Sequence, residues 1–492
     1  MEKSTPLAVE DFQQAEKSDG PLRLDKYGMP LSPQPSKYSD DPLNWSPAVK
    51  LAVTLQVSWL AFLGPMSAAV ANPAFVPIGK HFKIGTVQAS YSLMMYILWA
   101  AFGPLLSVPL ANKYGRRPVY LVSNLVAGAC NVASGYSTSW GGVMATRAIV
   151  GIFAGSPPAI GAATICDLYF LHERGFYIGI FTFFLTNGPH TASLIGGFVA
   201  QYLGWSYCYT IPGYIQIGTF VITLFALPET LYSRRTTDHT LRTFKDLLLF
   251  RAALPPRKLS LIDFARPLYM ARYLTVLLPV LYYMTTFGYG SVLFASTGSQ
   301  LFARYYHFDT AQTGLILSIP LLIGSFVGEA STGWFTDWLV RRDARKRDGV
   351  RRAEARLDGF WLSLLVPVGV VIVGVCMYHH NTVPWIGPAM GMGIANLGLQ
   401  AATTVTYAYT TDHFKPQSAE ISCVINFARS IFSAVISFYA IPLADKVDIA
   451  NGWVIFACIN LAFFIPAVSL RWLGGSISQK TWQAPPTFHD DI

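Results

Sequence analysis

Twelve predominantly apolar stretches, each close to the length of about 20 residues that a helix needs to cross roughly 30 Å of hydrocarbon, dominate this chain. They cover residues 51–70, 87–110, 118–136, 142–166, 176–200, 207–227, 273–297, 312–335, 360–378, 385–409, 418–442 and 453–470. In hydrocarbon each backbone amide must be bonded within the chain, and a continuous apolar run of this length does so as a helix. The expected fold is an all-α membrane protein with twelve transmembrane helices. Composition agrees: 52% of residues are hydrophobic and 13% charged, which excludes a water-soluble globular fold.

The net charge of +9 would suit a nucleic-acid binder, but the basic residues are sorted by membrane side. With the N-terminus in the cytosol, the cytosolic loops carry Lys113, Arg116 and Arg117 after helix 2 and Arg174 after helix 4. Nine basic residues follow helix 6, eight follow helix 8, and Lys415 follows helix 10. The opposite face carries Lys80, Lys83, Arg304 and Lys446. This is the positive-inside bias; it predicts cytosolic termini and no nucleic-acid partner.

The first 45 residues are polar, with no basic segment leading into an apolar core, so no cleavable signal is expected. Asp41-Pro42-Leu43-Asn44-Trp45-Ser46-Pro47 reads as the entry to helix 1, with Ser46 as cap, Pro47 in the first turn and Trp45 at headgroup level. Asn44-Trp45-Ser46 matches a glycosylation sequon, silent on a cytosolic face. The six cysteines lie in or at the ends of helices without metal-ligand spacing. They read as buried free thiols, with no disulfide framework, metal or cofactor.

The longest internal connection divides the helices six and six. Expected boundaries are a cytosolic tail over 1–48, an N-terminal bundle over 49–228, a cytosolic central loop over 229–272, a C-terminal bundle over 273–472 and a cytosolic tail over 473–492. The halves share landmarks: Asn112-Lys113-Tyr114-Gly115-Arg116-Arg117 after helix 2 matches Asp337-Trp338-Leu339-Val340-Arg341-Arg342 after helix 8. Asp167-Leu168-Tyr169-Phe170 at the end of helix 4 matches Asp412-His413-Phe414 at the end of helix 10. Two parallel six-helix repeats with a site between them is a recurrent transporter plan.

At these residues the chain resembles the major facilitator superfamily, and within it the fungal twelve-helix drug:proton antiporter branch. The resemblance rests on Gly115-Arg116-Arg117-Pro118 with its echo at Gly333 to Arg342, on Arg147-x-x-x-Gly151-x-x-x-Gly155 in helix 4, and on Gly188-Pro189 followed by Gly196-Gly197 in helix 5. Pro228-Glu229-Thr230 closing helix 6 is typical of the fungal members. The chain departs from the pattern where Asn112 stands for a carboxylate, Val108 for a glycine, and Ala192-Ser193 for a second glycine-proline pair. The second repeat keeps Gly333 and Asp337, so the resemblance implies a cytosolic latch that depends more on Asp337, with Arg341 beside it. It also implies a role for Arg147 in proton coupling and a cavity lined by helices 1, 4, 7 and 10.

The residues themselves add candidates. Gly115 suits a tight interhelical turn. Pro189 withholds a hydrogen bond from the Leu185 carbonyl and predicts a kink, while Gly188, Gly196 and Gly197 permit close helix approach. Ionisable groups within hydrocarbon are functional candidates by default; here they are Arg147, Glu329, Arg429 and His190. Glu329 and His190 are the two suited to carrying a proton, although fixed intramembrane pairing serves Glu329 and Arg429 equally and packing serves His190. Asn396, Gln400, Thr403 and Tyr407 follow helical spacing along one face. With Tyr282, Tyr283, Thr286 and Tyr289 of helix 7, and Gln56 and Trp59 of helix 1, they describe an aromatic, weakly polar cavity. The basic loop from Arg341 to Arg356, interrupted by Asp343, Asp348 and Glu354, reads as a solvated amphipathic helix.

The expected function is secondary active transport by alternating access: proton-coupled export of amphipathic small molecules by a monomer, in the plasma membrane or the vacuolar membrane. Its partners are a small-molecule substrate, protons and the lipid bilayer. Uptake of organic cations or polyamines is the rival within transport, with Glu329 binding the cation. A non-transporting nutrient receptor is the rival outside it. Catalysis is not expected, since no nucleophile–base or metal cluster appears, and no phosphate-binding glycine loop suggests ATP drive.

Overall fold

The structure, a computed structural model, describes residues 31, 35–38, 41–232, 260–345, 353–414 and 417–481. Most of the two tails and of the central loop, Lys415, and Asp348 in the loop after helix 8 lie outside the described residues, as do the side chains of Asp337, Arg341 and Asp412. Twelve helical segments carry the bundle. The first six are α1 (Pro47–Ala69), α2 (Thr86–Ala100 and Phe102–Tyr114), α3 (Arg116–Gly135), α4 (Trp140–Ala154 and Ser156–Leu168), α5 (Leu171–Tyr202) and α6 (Tyr207–Ala226). The second six are α7 (Leu274–Phe287, a π turn at Gly288–Val292, then Leu293–Tyr305), α8 (Thr310–Ile316 and Ile319–Arg345), α9 (Phe360–Ser363 and Leu365–Tyr378), α10 (Ile386–His413), α11 (Ser418–Val447) and α12 (Ile449–Thr481).

Among the described residues, nine spans are long and apolar enough to cross a membrane. The three that fall short, α3, α5 and α10, bring polar side chains into the interior: Asn124 and Asn131, Asn187 and His190, Asn396 and Gln400, all buried. Most of these bond across helices, which offsets the cost of burying them. Large side chains such as Trp334, Phe225 and Ile465 are exposed on the outside, as a lipid-facing surface requires.

The pairing of helices repeats between the halves. In the first, α1 packs on α5, α2 on α4, α3 on α4 and α3 on α6; in the second, α7 packs on α11, α8 on α10, α9 on α10 and α9 on α12. Two matched seams join them, α2 against α11 and α5 against α8. Separate cores support this arrangement. One fills the C-terminal bundle around Tyr282, Phe360 and Trp453. Another fills one end of the N-terminal bundle around Phe75 and Tyr209. A third, around Val57, Tyr120 and Leu168, fills its other end.

Local chemistry sets the helix ends. Ser46 caps α1 at Val49 with Pro47 in the first turn, as its sequence predicts. Upstream, Asp41 is fully buried and accepts from Leu43 N at 3.1 Å, while Lys50 Nζ donates to Leu43 O at 2.9 Å. The segment is thus a packed cap as well as an entry. α5 continues through Pro189 as one helix. Part of the loop after α8 departs from the solvated expectation: Ala355 and Leu357 are buried. Arg471 of α12 donates to Asp358 at 2.9 Å and to Asp343 at 3.1 Å. That pairing draws the two aspartates inward rather than leaving them in water. Of the cysteines, Cys208 and Cys423 are buried, but Cys458 is exposed, on the outer face of α12 where a thiol is tolerated by lipid.

Candidate functional site

The turn between α2 and α3 shows why its glycine is needed. Gly115 has φ +102°, and a Cβ there would strike the Glu229 carboxylate. Glu229 follows α6 and accepts from the first two amides of α3, Arg116 N at 3.0 Å and Arg117 N at 3.1 Å. A carboxylate at a helix N-terminus satisfies orphan amides and the helix dipole together. The side chains of Arg116 and Arg117 are buried, not spread in the interface. Arg116 Nε pairs with Asp167 at 2.6 Å, and Arg117 donates to Leu224 O at 2.5 Å. Asn112 is also buried. Gly333, in the second repeat, faces open space where a side chain would meet nothing, so packing does not demand glycine there.

In the N-terminal bundle Arg147 is fully buried. It donates to Asn131 Oδ1 at 2.9 Å and to Ser67 O at 3.0 Å. The latter is a carbonyl in the last turn of α1, where intrahelical donors run out. Asn131 in turn donates to Gln216 of α6 at 2.7 Å. The guanidinium lies over Tyr96 at 4.9 Å and Tyr209 at 5.2 Å, a cation–π environment. Its Nε has no hydrogen-bond partner among the described residues.

At the α5–α8 seam the halves meet through small residues and one polar junction. A Cβ on Gly197 would collide with Gly314 of α8, and one on Gly196 with Val70 O, just past the end of α1. Gly188 likewise faces Phe62 O of α1. Next along, Ser318 Oγ donates to His190 O at 2.5 Å. Asn396 Nδ2 donates to Leu321 O at 2.5 Å and approaches His190 Nε2 at 3.4 Å. Beyond this junction the seam opens into a cleft of about 430 Å³ lined by Phe62, Phe183, Phe184, Asn187, Thr191 and Phe326, with aliphatic residues of α8. On the neighbouring face of α8, Glu329 accepts a hydrogen bond from Gln400 of α10.

At the other seam, Tyr91 meets Phe438 with ring centroids 4.8 Å apart and Phe102 meets Phe427 at 5.7 Å. Arg429 of α11 donates to Asn426 at 2.9 Å, and its guanidinium lies 4.4 Å from the Phe287 ring centre. Asn426 approaches Tyr407 at 3.4 Å, and Tyr407 stands edge-on to Tyr283.

The remaining expected cavity residues take other places. Gln56 and Trp59 donate to Thr223 and Thr219 of α6, each at 3.2 Å, joining helices within one bundle. Tyr282 bonds Ser363 of α9 at 2.5 Å, and Thr286 accepts from Asn460 of α12 at 3.0 Å; both belong to the C-terminal core. Tyr289 pairs there with Tyr439 at 3.1 Å. Helical spacing identified the inward faces but not which neighbour each face meets. Glu229 was legible only as part of its Pro-Glu-Thr segment, and Tyr96 carried no signal in a helix of apolar and small residues.

Two matched bundles with polar groups at their seams define a polytopic transporter rather than an enzyme. The chain belongs to the Major Facilitator Superfamily, whose family model matches residues 57–438. It is 31% identical over 445 residues to an MFS-type transporter, phm3, of Pyrenochaetopsis sp, covering 88% of this chain and 90% of that protein. It is 28% identical to an efflux pump, radE, of Floropilus chiversii, covering 86% and 80% of the two chains. A bacterial homologue of the human lysosomal transporter Spinster, solved inward-facing and unoccupied, shares the fold with a TM-score of 0.57 at 15% identity, over 90% of this chain and all of that one.

Proposed function

We propose that this transporter exports amphipathic small organic molecules, with protons moving the other way, by rocking its two bundles about the seams. The observation that carries the reading is the cleft between α5 and α8: aromatic walls from both bundles with Asn187 and Thr191 as its polar points. Such a lining favours a large apolar body with few hydrogen-bonding groups. The similarity to radE, an efflux pump, favours the outward direction. Glu329 and His190 are the proposed proton carriers, each hydrogen-bonded to an amide of α10 at or near the α5–α8 seam. The working unit is a monomer with cytosolic termini in the plasma membrane, and its bundles span 49–228 and 273–472.

The test is transport in everted vesicles with an imposed proton gradient. Accumulation of a lipophilic dye that collapses with the gradient is expected. Accumulation only in right-side-out vesicles, or flux indifferent to the gradient, contradicts export by antiport. A vesicle that moves no solute supports the receptor alternative.

A further inference from the structure

We propose that the transported molecule is an organic anion, and that Arg429 of α11, at the α2–α11 side and outside the lining of the α5–α8 cleft, is the ligand for its acidic group; this rests on the export reading, adds a second contact point to it and names the substrate class. Two guanidinium groups stand well inside the spans, Arg147 in α4 and Arg429 in α11. Among the described residues neither is paired with a carboxylate. Arg147 is held by an amide and carbonyl oxygens, and Arg429 by the Asn426 amide through Nε alone. The described ion pairs use Arg116, Arg304 and Arg471 instead. A charge kept in the membrane without a counter-ion is costly unless something supplies one.

The two arginines differ in what they can do. Arg147 is sealed from every side, so it contributes field rather than contact. Arg429 is only half-buried, and its two terminal nitrogens make no hydrogen bond among the described residues. Those nitrogens form the planar fork that matches a carboxylate or sulfonate. Around them the surface is aromatic: Phe287 under the guanidinium, and Tyr407 across Asn426. Tyr96, in the first bundle with Arg147, lies 4.9 Å from the Arg147 guanidinium. An aromatic wall beside an unpaired, preorganised cation recognises an amphipath with one acidic group. The same positive field repels a polyamine, which weighs against the cation-uptake alternative.

Equilibrium dialysis of the purified full-length protein in neutral detergent against 2-naphthoate and 2-naphthamide tests this. The two probes share a ring system and differ in charge. Naphthoate is expected to bind at least about tenfold more tightly, the scale of one charge-assisted hydrogen-bond pair. Arg429→Gln is expected to erase the difference, and Arg429→Lys to keep part of it. Equal binding, tighter binding of the amide, no binding of naphthoate, or an unchanged preference in Arg429→Gln overturns the inference. Dialysis needs no gradient, so it is independent of export. Anion binding without gradient-driven flux refutes export alone. Gradient-driven flux of the neutral probe with no anion preference refutes the anion site alone.

Discussion

Glu229 holds the start of α3 through the backbone of Arg116, with Oε1 3.0 Å from the Arg116 nitrogen while Oε2 takes the next amide at 3.1 Å. One carboxylate at the exit of α6 therefore fixes the turn that follows α2, and α3 and α6 pack along their lengths. Replacing it leaves two amides and a helix dipole uncompensated. Glu229→Ala is expected to lower stability by about 1–2 kcal/mol, the usual cost of a lost cap, and Glu229→Gln by less. Thermal unfolding of the purified protein followed by tryptophan fluorescence reads the difference.

Gly115 is the other side of that contact. Its φ of +102° suits glycine, and a Cβ would meet the carboxylate. Gly115→Ala is expected to destabilise by about 1–3 kcal/mol from backbone strain, with the clash adding to it. Combined with Glu229→Ala, the clash is removed and the strain is not. The double variant should therefore be more stable than the sum of the single losses, which the same unfolding assay measures.

Arg147 depends on shape as much as charge, because its guanidinium reaches Asn131 and Ser67 at once while lying over two tyrosine rings. An ammonium cannot span both acceptors in a plane. Arg147→Lys is expected to cut gradient-driven transport by about tenfold or more. Asn131→Ala, which strands Gln216 and one Arg147 donor, is expected to lose about 1–3 kcal/mol of stability, again read by thermal unfolding.

The proton-carrier proposal separates the two candidates. Glu329→Gln keeps a hydrogen-bonding partner for Gln400 and removes the titratable group. Transport is expected to lose its response to the proton gradient, while exchange of labelled for unlabelled substrate at equal pH survives. Loss of exchange as well would make Glu329 a binding group instead.

The repeat plan, the spans and the glycine turn were legible because membrane burial and backbone geometry leave little choice at Gly115, Pro47 or along 360–378. The seams were only partly so. Asn396 and Gln400 lie on one face of α10, yet one turns to Leu321 and His190 and the other to Glu329. Gln56, Trp59, Tyr282 and Thr286 have the composition of cavity residues, but threonines and a serine on adjacent helices take the hydrogen bonds of the first three, and Asn460 of α12 donates to Thr286. A single sequence gives the period of a helix and not its rotation against its neighbours, which packing partners decide. Asp343 shows the same gap, since its partner Arg471 arrives 128 residues later.

The central claim is that the two bundles part and close at the α5–α8 seam. Gly197 and Gly314 touch there backbone to backbone. The direct measurement is cross-linking of a Ser193→Cys, Ser318→Cys protein, free of its native cysteines, in vesicles. Ser318 of α8 bonds the His190 carbonyl across the seam, one turn from Ser193, and both glycines are left intact. Rapid disulfide formation that stops transport, with recovery on reduction, is the predicted result. A cross-link that forms in full and leaves transport unchanged would contradict the account.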